Sequence, residues 1–345
     1  MSELAFVVPG RLDQLTGGYL YDRNIVEGLR SRGRAVRLVE LGPAADPAAF
    51  AAIPSGTAAV VDGLAFPRLA QVVAAEARRL RLVAFVHHPL AEETGLSKAE
   101  AERMARLEAG MLPRFRGVLC PSRRTAAAVE RYGIPADRIA VVLPGTAKPT
   151  AYRRLRRGPA RALLCVASLV PRKGHRVLVE ALARLRHLDW RLQCVGSLDR
   201  DPATTRAVRR KISAAGLSRR VTLSGERQPA TLTHAYRAAD IFVLPSFHEG
   251  YGMAYAEAMA HGLPIVATTA GAIPETVSRE AGLLVSPGDP GALARALRRV
   301  IAEPLLAARL AAGSRAAGAR LPDWPQATKQ WESALNRFAA LDLPG

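Results

Sequence analysis

The sequence has little cysteine and no long apolar run. Its three cysteines, Cys120, Cys165 and Cys194, lie far apart in or beside apolar stretches and show no metal-ligand spacing. This favours buried free thiols in a reducing compartment over disulfides or a zinc site. No stretch approaches the ~20 consecutive apolar residues of a membrane-spanning helix, and the N-terminus lacks the basic region of a secretory signal. We therefore expect a cytoplasmic protein.

Lysine is also scarce, since five of the 49 basic residues are lysine and the others are arginine. With 30 acidic residues the formal net charge is +19. A charge of this sign and size makes nucleic acid, an anionic membrane and an anionic ligand candidate partners. The arginines are spread along the chain without interleaved aromatic residues or zinc-finger spacing, so we expect no nucleic-acid partner.

The stretch 99–117 carries arginines beside apolar residues. It is either an ordinary surface helix or a segment that contacts anionic lipid. A peripheral position at the inner membrane face follows only from the second interpretation.

A chain of 345 residues with 49% apolar residues is long enough for two hydrophobic cores. Short apolar runs alternate with helical patterns in both halves, which predicts α/β domains with doubly wound parallel sheets. The stretch 149–159 contains a basic run between two prolines and has no apolar periodicity, so it predicts a linker. The expected domains are 1–148, completed by a C-terminal helix at 324–340, and 160–323.

The most informative stretch is 245–264, which lies between two apolar strand patterns. Glu249 falls in the turn at the carboxyl end of the first strand, where open α/β sheets bind ligands. Glu257 follows about two helical turns later, so both carboxylates can face one crevice. Gly250 and Gly252 allow the backbone to come close to a ligand, and the adjacent helix N-terminus offers unpaired N–H groups to an anion.

Two other turns have the composition of phosphate-binding sites. Arg172, Lys173 and Gly174 directly follow the first strand pattern of the second half, where two cations suit a diphosphate. In the first half, Gly17 and Gly18 lie between a strand pattern and a helical pattern. The alternative for each is a solvated turn without a ligand.

In the second half, four features follow one another: Arg-Lys-Gly at 172–174, a strand ending in Pro-Ser at 238–246, Glu249 followed after seven residues by Glu257, and Pro-Glu at 274–275. This order resembles the family 4 retaining glycosyltransferases, also called group 1. Their GT-B fold has two Rossmann-like domains facing a cleft. The resemblance covers most of the second half, while the first half is similar only through Gly17-Gly18 and the His87-His88 segment.

The resemblance implies a nucleotide sugar as co-substrate, bound in the cleft, with no cofactor and no metal. Lys173 and Arg172 are implied to hold the diphosphate, Glu257 the ribose hydroxyls and Glu249 the transferred sugar. Relatives often carry an arginine five residues before the lysine, where this chain has Ser168. We expect Arg172 to replace that arginine in binding the diphosphate. Further donor contacts implied by the resemblance are Gly17, Gly18, Glu226, Arg227, Gly250, Tyr251, Gly252 and Met253.

Two histidines follow an apolar strand pattern in the first half. We assign His88 to the reacting sugar and His87 to the acceptor side; the alternative for each is a turn histidine bonded to backbone. Acceptor contacts are expected just beyond Gly17-Gly18, from Tyr19, Tyr21, Asp22 and Arg23. The expected acceptor is a small molecule, a saccharide or a lipid-linked compound.

The implied reaction is a transfer with retention by a front-face mechanism, in which the leaving phosphate takes the acceptor's proton. The alternatives are a sugar-nucleotide epimerase or phosphorolytic enzyme of the same fold, and a non-catalytic module that binds nucleotide sugars.

One motif points to a metal and has a competing explanation. Asp199, Arg200 and Asp201 fit the D-x-D metal-binding pattern of another glycosyltransferase fold. Asp201 followed by Pro202 also fits a helix N-cap with proline at the first helical position, which is the interpretation that we favour.

Overall fold

The structure is a computed structural model that describes residues 3–42, 47–149 and 160–343. The chain divides into two compact units, Met1–Gly145 with Pro322–Gly345, and Thr146–Leu321. Residues 150–159 of the predicted linker lie outside the described residues.

The first unit contains a six-stranded sheet in which every neighbouring pair is parallel. The order β2-β1-β3-β4-β5-β6 changes direction between β1 and β3. Its strands are β1 (Leu4–Val8), β2 (Val36–Glu40), β3 (Ala58–Asp62), β4 (Arg81–Phe85), β5 (Gly117–Cys120) and β6 (Ile139–Val141). The helices preceding the second unit are α1 (Gly17–Ser31), α2 (Pro47–Ala51), α3 (Phe66–Leu69), α4 (Val73–Arg79), α5 (Lys98–Met111) and α6 (Arg123–Glu130).

The second unit contains another six-stranded parallel sheet, with the order β12-β11-β10-β7-β8-β9. Its strands are β7 (Ala162–Val166), β8 (Arg191–Val195), β9 (Val221–Leu223), β10 (Ile241–Leu244), β11 (Ile265–Thr268) and β12 (Gly282–Val285). Its helices are α7 (His175–Ala183), α8 (Pro202–Ala214), α9 (Pro229–Ala238), α10 (Met253–Ala260), α11 (Ile273–Thr276), α12 (Pro290–Ala302) and α13 (Pro304–Arg320). The second unit has the strand order of the Rossmann fold, and the first unit has the other common doubly wound order, in which β2 and not β3 is the edge strand. The predicted doubly wound α/β class is therefore confirmed for both units.

The last helix, α14 (Trp324–Ala339), packs against the first unit. Trp331 is fully buried, with its ring centroid 5.8 Å from those of both Phe6 and Phe85. Gly28 of α1 meets α14 so closely that an added Cβ would overlap the Thr328 side chain. Because the helix supplies large apolar side chains to a core built by residues far earlier in the chain, it completes that core.

The arginine-bearing stretch forms a shorter helix than predicted, since α5 ends at Met111. Met111 and Leu112 are buried in the first unit's core, whereas Arg103 and Arg106 are exposed. The stretch therefore does not present Met111 and Leu112 to a lipid surface, and contact with an anionic membrane stays a prediction. Among the described residues, no helix combines the length and the apolar character needed to cross a membrane.

Replacing Trp331 with alanine is expected to destabilise the first unit by roughly 3–5 kcal/mol, because it empties a large buried volume. Hydrogen exchange followed by mass spectrometry should show faster exchange in β1 and β4 and no change in β7. Lys329→Ala, on the exposed side of the same helix, is the matched control. Equal exchange in the two variants would contradict the role given to α14.

Candidate functional site

In the second unit, the predicted site residues lie where the strand order changes direction. β7 and β10 are neighbours in the sheet although they are far apart in sequence, and the chain leaves β7 toward one edge and β10 toward the other. The loops after these two strands therefore lie at the point of the carboxyl edge where sheets of this kind usually bind ligands.

The two loops approach each other through their backbones. Gly174 has a φ of +69°, and an added Cβ would overlap the carbonyl oxygen of Pro245. The N–H of Phe247 donates to the carbonyl of Arg172 at 2.7 Å. Only glycine meets both requirements at position 174, the positive φ and the close approach, so this residue sets the distance between the loops.

Glu249 is the centre of a polar cluster formed by these loops. Its side chain is 7% exposed, and Oε1 accepts hydrogen bonds from Lys173 Nζ at 2.7 Å and from Ser246 Oγ at 2.6 Å. Arg172 Nη1 lies 3.6 Å from Oε2 and donates to the carbonyl of His248 at 3.0 Å. The structure thus brings together three of the four residues predicted to be catalytic.

Electrostatics keep this buried carboxylate ionised. Burial alone raises the pKa of Glu249, but the charges of Lys173 and Arg172 outweigh it and hold the pKa below its ordinary value. The cluster therefore carries one negative and two positive charges at neutral pH. Its net positive charge is suited to an anionic ligand such as a diphosphate.

The helix formers from Tyr251 to Ala260 predict a helix that begins at Tyr251, whereas α10 begins two residues later at Met253, because Gly252 forms its N-cap with a φ of +89°. An added Cβ at Gly252 would also overlap the ring of Tyr255. Glu257 lies in the second turn, where Tyr236 Oη donates to its Oε2 at 2.7 Å. Burial raises the pKa of Glu257, and the bond from Tyr236 opposes that rise. The hydrogen bond from Tyr236 therefore fixes the position of the Glu257 side chain through Oε2.

Two of the predicted donor contacts, Glu226 and Arg227, lie at or next to a cavity at the carboxyl ends of β8 and β9. Glu226 lines a volume of about 310 Å³ together with Gly225, Ser197 and the α8 arginines Arg206 and Arg209. Arg227 follows as an exposed residue.

The other predicted donor contacts of this unit surround the helix N-terminus. The Tyr251 hydroxyl is buried and has no hydrogen-bond partner in the described part of the chain. Gly250 lies in the bend between Glu249 and α10. A buried hydroxyl without a partner in this segment, just before α10, is a candidate ligand contact.

The first unit places a second polar cluster at the carboxyl edge of its own sheet. His87 follows β4, Asp62 ends β3, and Asp22 lies on α1. His87 Nε2 lies 3.0 Å from Asp22 Oδ1 and 4.0 Å from Asp62 Oδ1. Gly18 lies next to the ring, since an added Cβ at this position would lie 3.4 Å from His87 Cδ2, in van der Waals contact.

The two histidines have different environments. His88 Nε2 lies 3.1 Å from Glu93 Oε2, whereas His87 lies beside Gly18 and Asp22, although the two side chains are equally exposed, at 10%. Within this unit, His87 is therefore the histidine adjacent to the predicted donor turn, although the sequence analysis assigned the catalytic role to His88. Both roles stay predictions.

The remaining residues of the predicted acceptor side lie on α1 with mixed exposure. Tyr19 Oη donates to the carbonyl of Pro9 at 3.1 Å, and Tyr21 Oη donates to that of Val142 at 2.7 Å. Both tyrosines are buried, whereas Arg23 is half-buried. Their contacts hold α1 in place, and a role in acceptor binding stays a prediction.

Two groups of three possible metal ligands occur among the described residues, Cys165 with His175 and Cys194, and Asp22 with Asp62 and His87. Closed structural zinc sites use four ligands, and neither group brings a fourth such residue among the described ones. The D-x-D segment has the predicted helix cap, since Asp201 Oδ1 accepts from Thr204 N at 2.9 Å and Pro202 begins α8.

Comparison with known proteins agrees with this geometry. Residues 57–147 match the model of Glycosyltransferase Family 4, and residues 160–303 match that of Glycosyl transferases group 1. Solved structures match over nearly the whole chain. Sucrose-phosphate synthase from Thermosynechococcus elongatus matches with a TM-score of 0.83 at 23% identity, covering 99% of this chain and 100% of that one. The Anabaena HepE protein in complex with UDP-glucose matches with a TM-score of 0.78 at 21% identity, covering 98% and 100%.

These structural likenesses show a GT-B fold. The D-inositol 3-phosphate glycosyltransferase of Corynebacterium efficiens is 34% identical over 50% of this chain and 45% of that protein. The MMP alpha-(1->4)-mannosyltransferase of Mycolicibacterium hassiacum is 29% identical over 75% and 67%. The chain belongs to the family 4, group 1 glycosyltransferases, which confirms the resemblance noted in its sequence. Its matches span about half the length of several of these curated relatives.

Sequence reasoning missed the partners of the predicted site residues. Asp62 could have been found, because it directly follows an apolar strand, where site residues of parallel sheets concentrate. Tyr236 carries no comparable signal, since a tyrosine on a helix is common without any site. Ser246 belongs to the Pro-Ser motif noted in the sequence, but the motif does not reveal its hydrogen bond to Glu249. Their roles depend on contacts that only the folded chain reveals.

Replacing Lys173 with methionine is expected to destabilise the second unit by roughly 3 kcal/mol at pH 7, because Glu249 then remains buried with weaker compensation. The pKa of Glu249 is lowered in the folded protein, so its ionised form contributes stability at pH values above the ordinary pKa of glutamate. That contribution is lost as the pH falls. The difference between wild type and variant should therefore narrow toward pH 4 in urea denaturation.

Lys211→Met is the matched control for that experiment. Lys211 pairs with Glu180 on a more exposed surface, where an ion pair contributes at most about 1 kcal/mol. If Lys173→Met and Lys211→Met lowered the free energy of unfolding equally at pH 7 and at pH 4, the buried ionic cluster around Glu249 would be contradicted.

Proposed function

We propose that this chain transfers a sugar from a nucleotide sugar to an acceptor hydroxyl, with retention of configuration and without a metal ion. The observation that carries the proposal is the Glu249 cluster, in which Lys173 and Arg172 are held at the carboxyl edge of the second unit's sheet. Membership of the family supports the reaction class.

Each part of the donor has a matching group in the second unit. The two cations bind the diphosphate, and the N–H groups at the start of α10 add partial positive charge. Glu257 binds the vicinal ribose hydroxyls, because a carboxylate accepts several hydrogen bonds and Tyr236 engages only Oε2. Glu249 binds hydroxyls of the transferred sugar, which lie next to the diphosphate in any nucleotide sugar.

The proposed chemistry places few demands on side chains as bases. The bond between the anomeric carbon and the diphosphate oxygen breaks, and the acceptor oxygen bonds to the same face of that carbon. The acceptor's proton moves to the departing phosphate oxygen. Stabilising the negative charge of that oxygen is then the main catalytic task, and Lys173 with Arg172 supplies it.

The relatives indicate the range of substrates. Curated relatives include an enzyme named as GDP-mannose-dependent and others named for inositol phosphate, and HepE is solved with UDP-glucose. We therefore propose a GDP- or UDP-linked hexose as donor and a polyol, saccharide or lipid-linked compound as acceptor.

The proposal is tested by incubating the purified chain with a panel of GDP- and UDP-sugars and measuring nucleotide release with and without mixed polyol and saccharide acceptors. We expect release from one donor that increases with acceptor, and a product whose anomeric configuration by NMR equals that of the donor. Absence of release from every donor would overturn the proposal, and release that requires only phosphate or water would favour the phosphorolytic alternative.

Glu257→Ala and Glu249→Ala are expected to separate two functions. The first should chiefly weaken donor binding, by about 1–3 kcal/mol for a lost hydrogen-bonding charge. The second should chiefly lower turnover, by about a hundredfold, because its contact lies next to the reacting carbon. Calorimetric donor affinity and kcat distinguish the two effects.

Glu303→Ala, at an exposed position in the same unit, is the control and should change neither quantity. Unaltered donor affinity in both variants, with equal loss of turnover, would refute the division of roles.

A further inference from the structure

The cluster in the first unit contains two buried carboxyl groups beside one histidine. Asp22 and Asp62 are 0% and 1% exposed. Asp22 Oδ1 lies 3.0 Å from His87 Nε2, and Asp62 Oδ1 accepts from the N–H of Leu64 at 2.8 Å. Two buried carboxylates at such short range repel each other strongly unless one of them is neutral.

The second oxygen of each carboxyl group points to the same conclusion. Asp22 Oδ2 and Asp62 Oδ2 are both buried and have no hydrogen-bond partner in the described ranges. Each residue offers an oxygen within 4.8 Å of the other's and of a His87 nitrogen. Two carboxylate oxygens cannot bond to each other, because neither donates; a proton on one of them makes the bond possible.

We propose that Asp22 and Asp62 share one proton, carried mainly by Asp62, and that this pair holds His87 in place as an imidazolium beside Gly18. Asp62 is then a positioning residue, and its relevance to catalysis rests on the proposed sugar transfer. The cluster is electrically neutral in this state, since the charges of Asp22 and His87 cancel and Asp62 has none. Neutrality removes most of the cost of burying three ionisable groups.

The electrostatics of the surroundings agree with this geometry. Burial and the charge of Asp22 raise the pKa of Asp62 to about 8, against the opposing effects of His87 and the Leu64 N–H. Burial alone lowers the pKa of His87, but Asp22 and Asp62 reverse this and raise it to about 9.

The other groups packed around the imidazole are aromatic rings. Those of Tyr21 on α1 and Phe85 at the end of β4 lie 6.0 and 4.4 Å away between centroids. The two aspartates are therefore the charged groups that face His87 among the described residues. Near neutral pH the cluster has one dominant protonation state.

The position of His87 gives this state a use. Its ring lies against Gly18, at the start of α1, where the family resemblance places a donor phosphate. An imidazolium fixed there adds a positive charge to the N-terminus of that helix. Asp22 fixes the orientation of the ring, because its Oδ1 accepts the N–H of Nε2 at 3.0 Å, and Asp62 lies next to that bond.

The test uses Asp62→Asn, since the asparagine amide donates to Asp22 permanently and replaces the shared proton. Stability is measured by urea denaturation from pH 5 to pH 8.5. Because the raised pKa of Asp62 gives stability that is lost as pH rises, the fall in the free energy of unfolding should be steeper in the wild type than in Asp62→Asn, by the slope of about one proton. Above the ordinary pKa of histidine both proteins keep a smaller slope from His87, whose pKa is raised as well.

Asp137→Asn, at an exposed position in the same unit, is the control and should behave as the wild type. Equal slopes in the wild type and Asp62→Asn would overturn the shared proton. The protein is treated with a chelator beforehand; a tightly held metal whose removal unfolds the unit would also overturn it, because a cation would then occupy the place of the proton.

A second measurement follows the imidazole of His87 by NMR. We expect titration well above the ordinary value of about 6.5 in the wild type and below about 7 in Asp22→Asn. Unchanged titration in Asp22→Asn would overturn the pairing. Neither measurement requires sugar transfer, so both remain decisive if the proposed function fails.

The positioning role is tested by the pH profile of kcat/KM with the active donor. Loss of activity at alkaline pH should begin at a higher pH in Asp62→Asn than in the wild type, while Asp137→Asn leaves the profile unchanged. Identical profiles in all three proteins would remove the positioning role even if the shared proton is confirmed.

Discussion

The interaction between Lys173 and Glu249 connects the chemistry of the second unit to its fold. The two residues belong to loops that leave neighbouring strands in opposite directions, and the ion pair bridges those loops at 2.7 Å. A buried ion pair contributes little net stability, because desolvation offsets the attraction. Its value here is positional: a carboxylate and two cations are held ready at the carboxyl edge of the sheet.

The same arrangement is repeated in a different chemical form in the first unit. There too the polar groups gather where the strand order changes direction, and there too two of them come from the ends of strands that are neighbours in the sheet. In the second unit positive charge exceeds negative, which suits a diphosphate. In the first unit the charges balance around an imidazole. One topological rule therefore places both clusters, and the side chains decide what each can bind.

Much of the fold and part of the candidate site could be predicted from the sequence. The parallel sheets were predictable because buried strands such as Ile241–Leu244 are uninterrupted apolar runs, and Glu249 and Lys173 were found because they directly follow strands. The start of α10 was misplaced because Gly252 takes a left-handed conformation that a count of helix formers does not reveal. The different environments of His87 and His88 depend on packing against Gly18 and Asp22, which no spacing in the sequence encodes.

The closing helix α14 has a consequence for biosynthesis. The ribosome makes β1 to β6 first, then the whole second unit, and only then the segment that carries Trp331. At ordinary elongation rates of about 5–20 residues per second, the apolar surface that α14 covers stays uncovered for on the order of ten seconds or more after β6 is made. During that interval the nascent first half is a substrate for chaperones, and the second half can finish folding before the first.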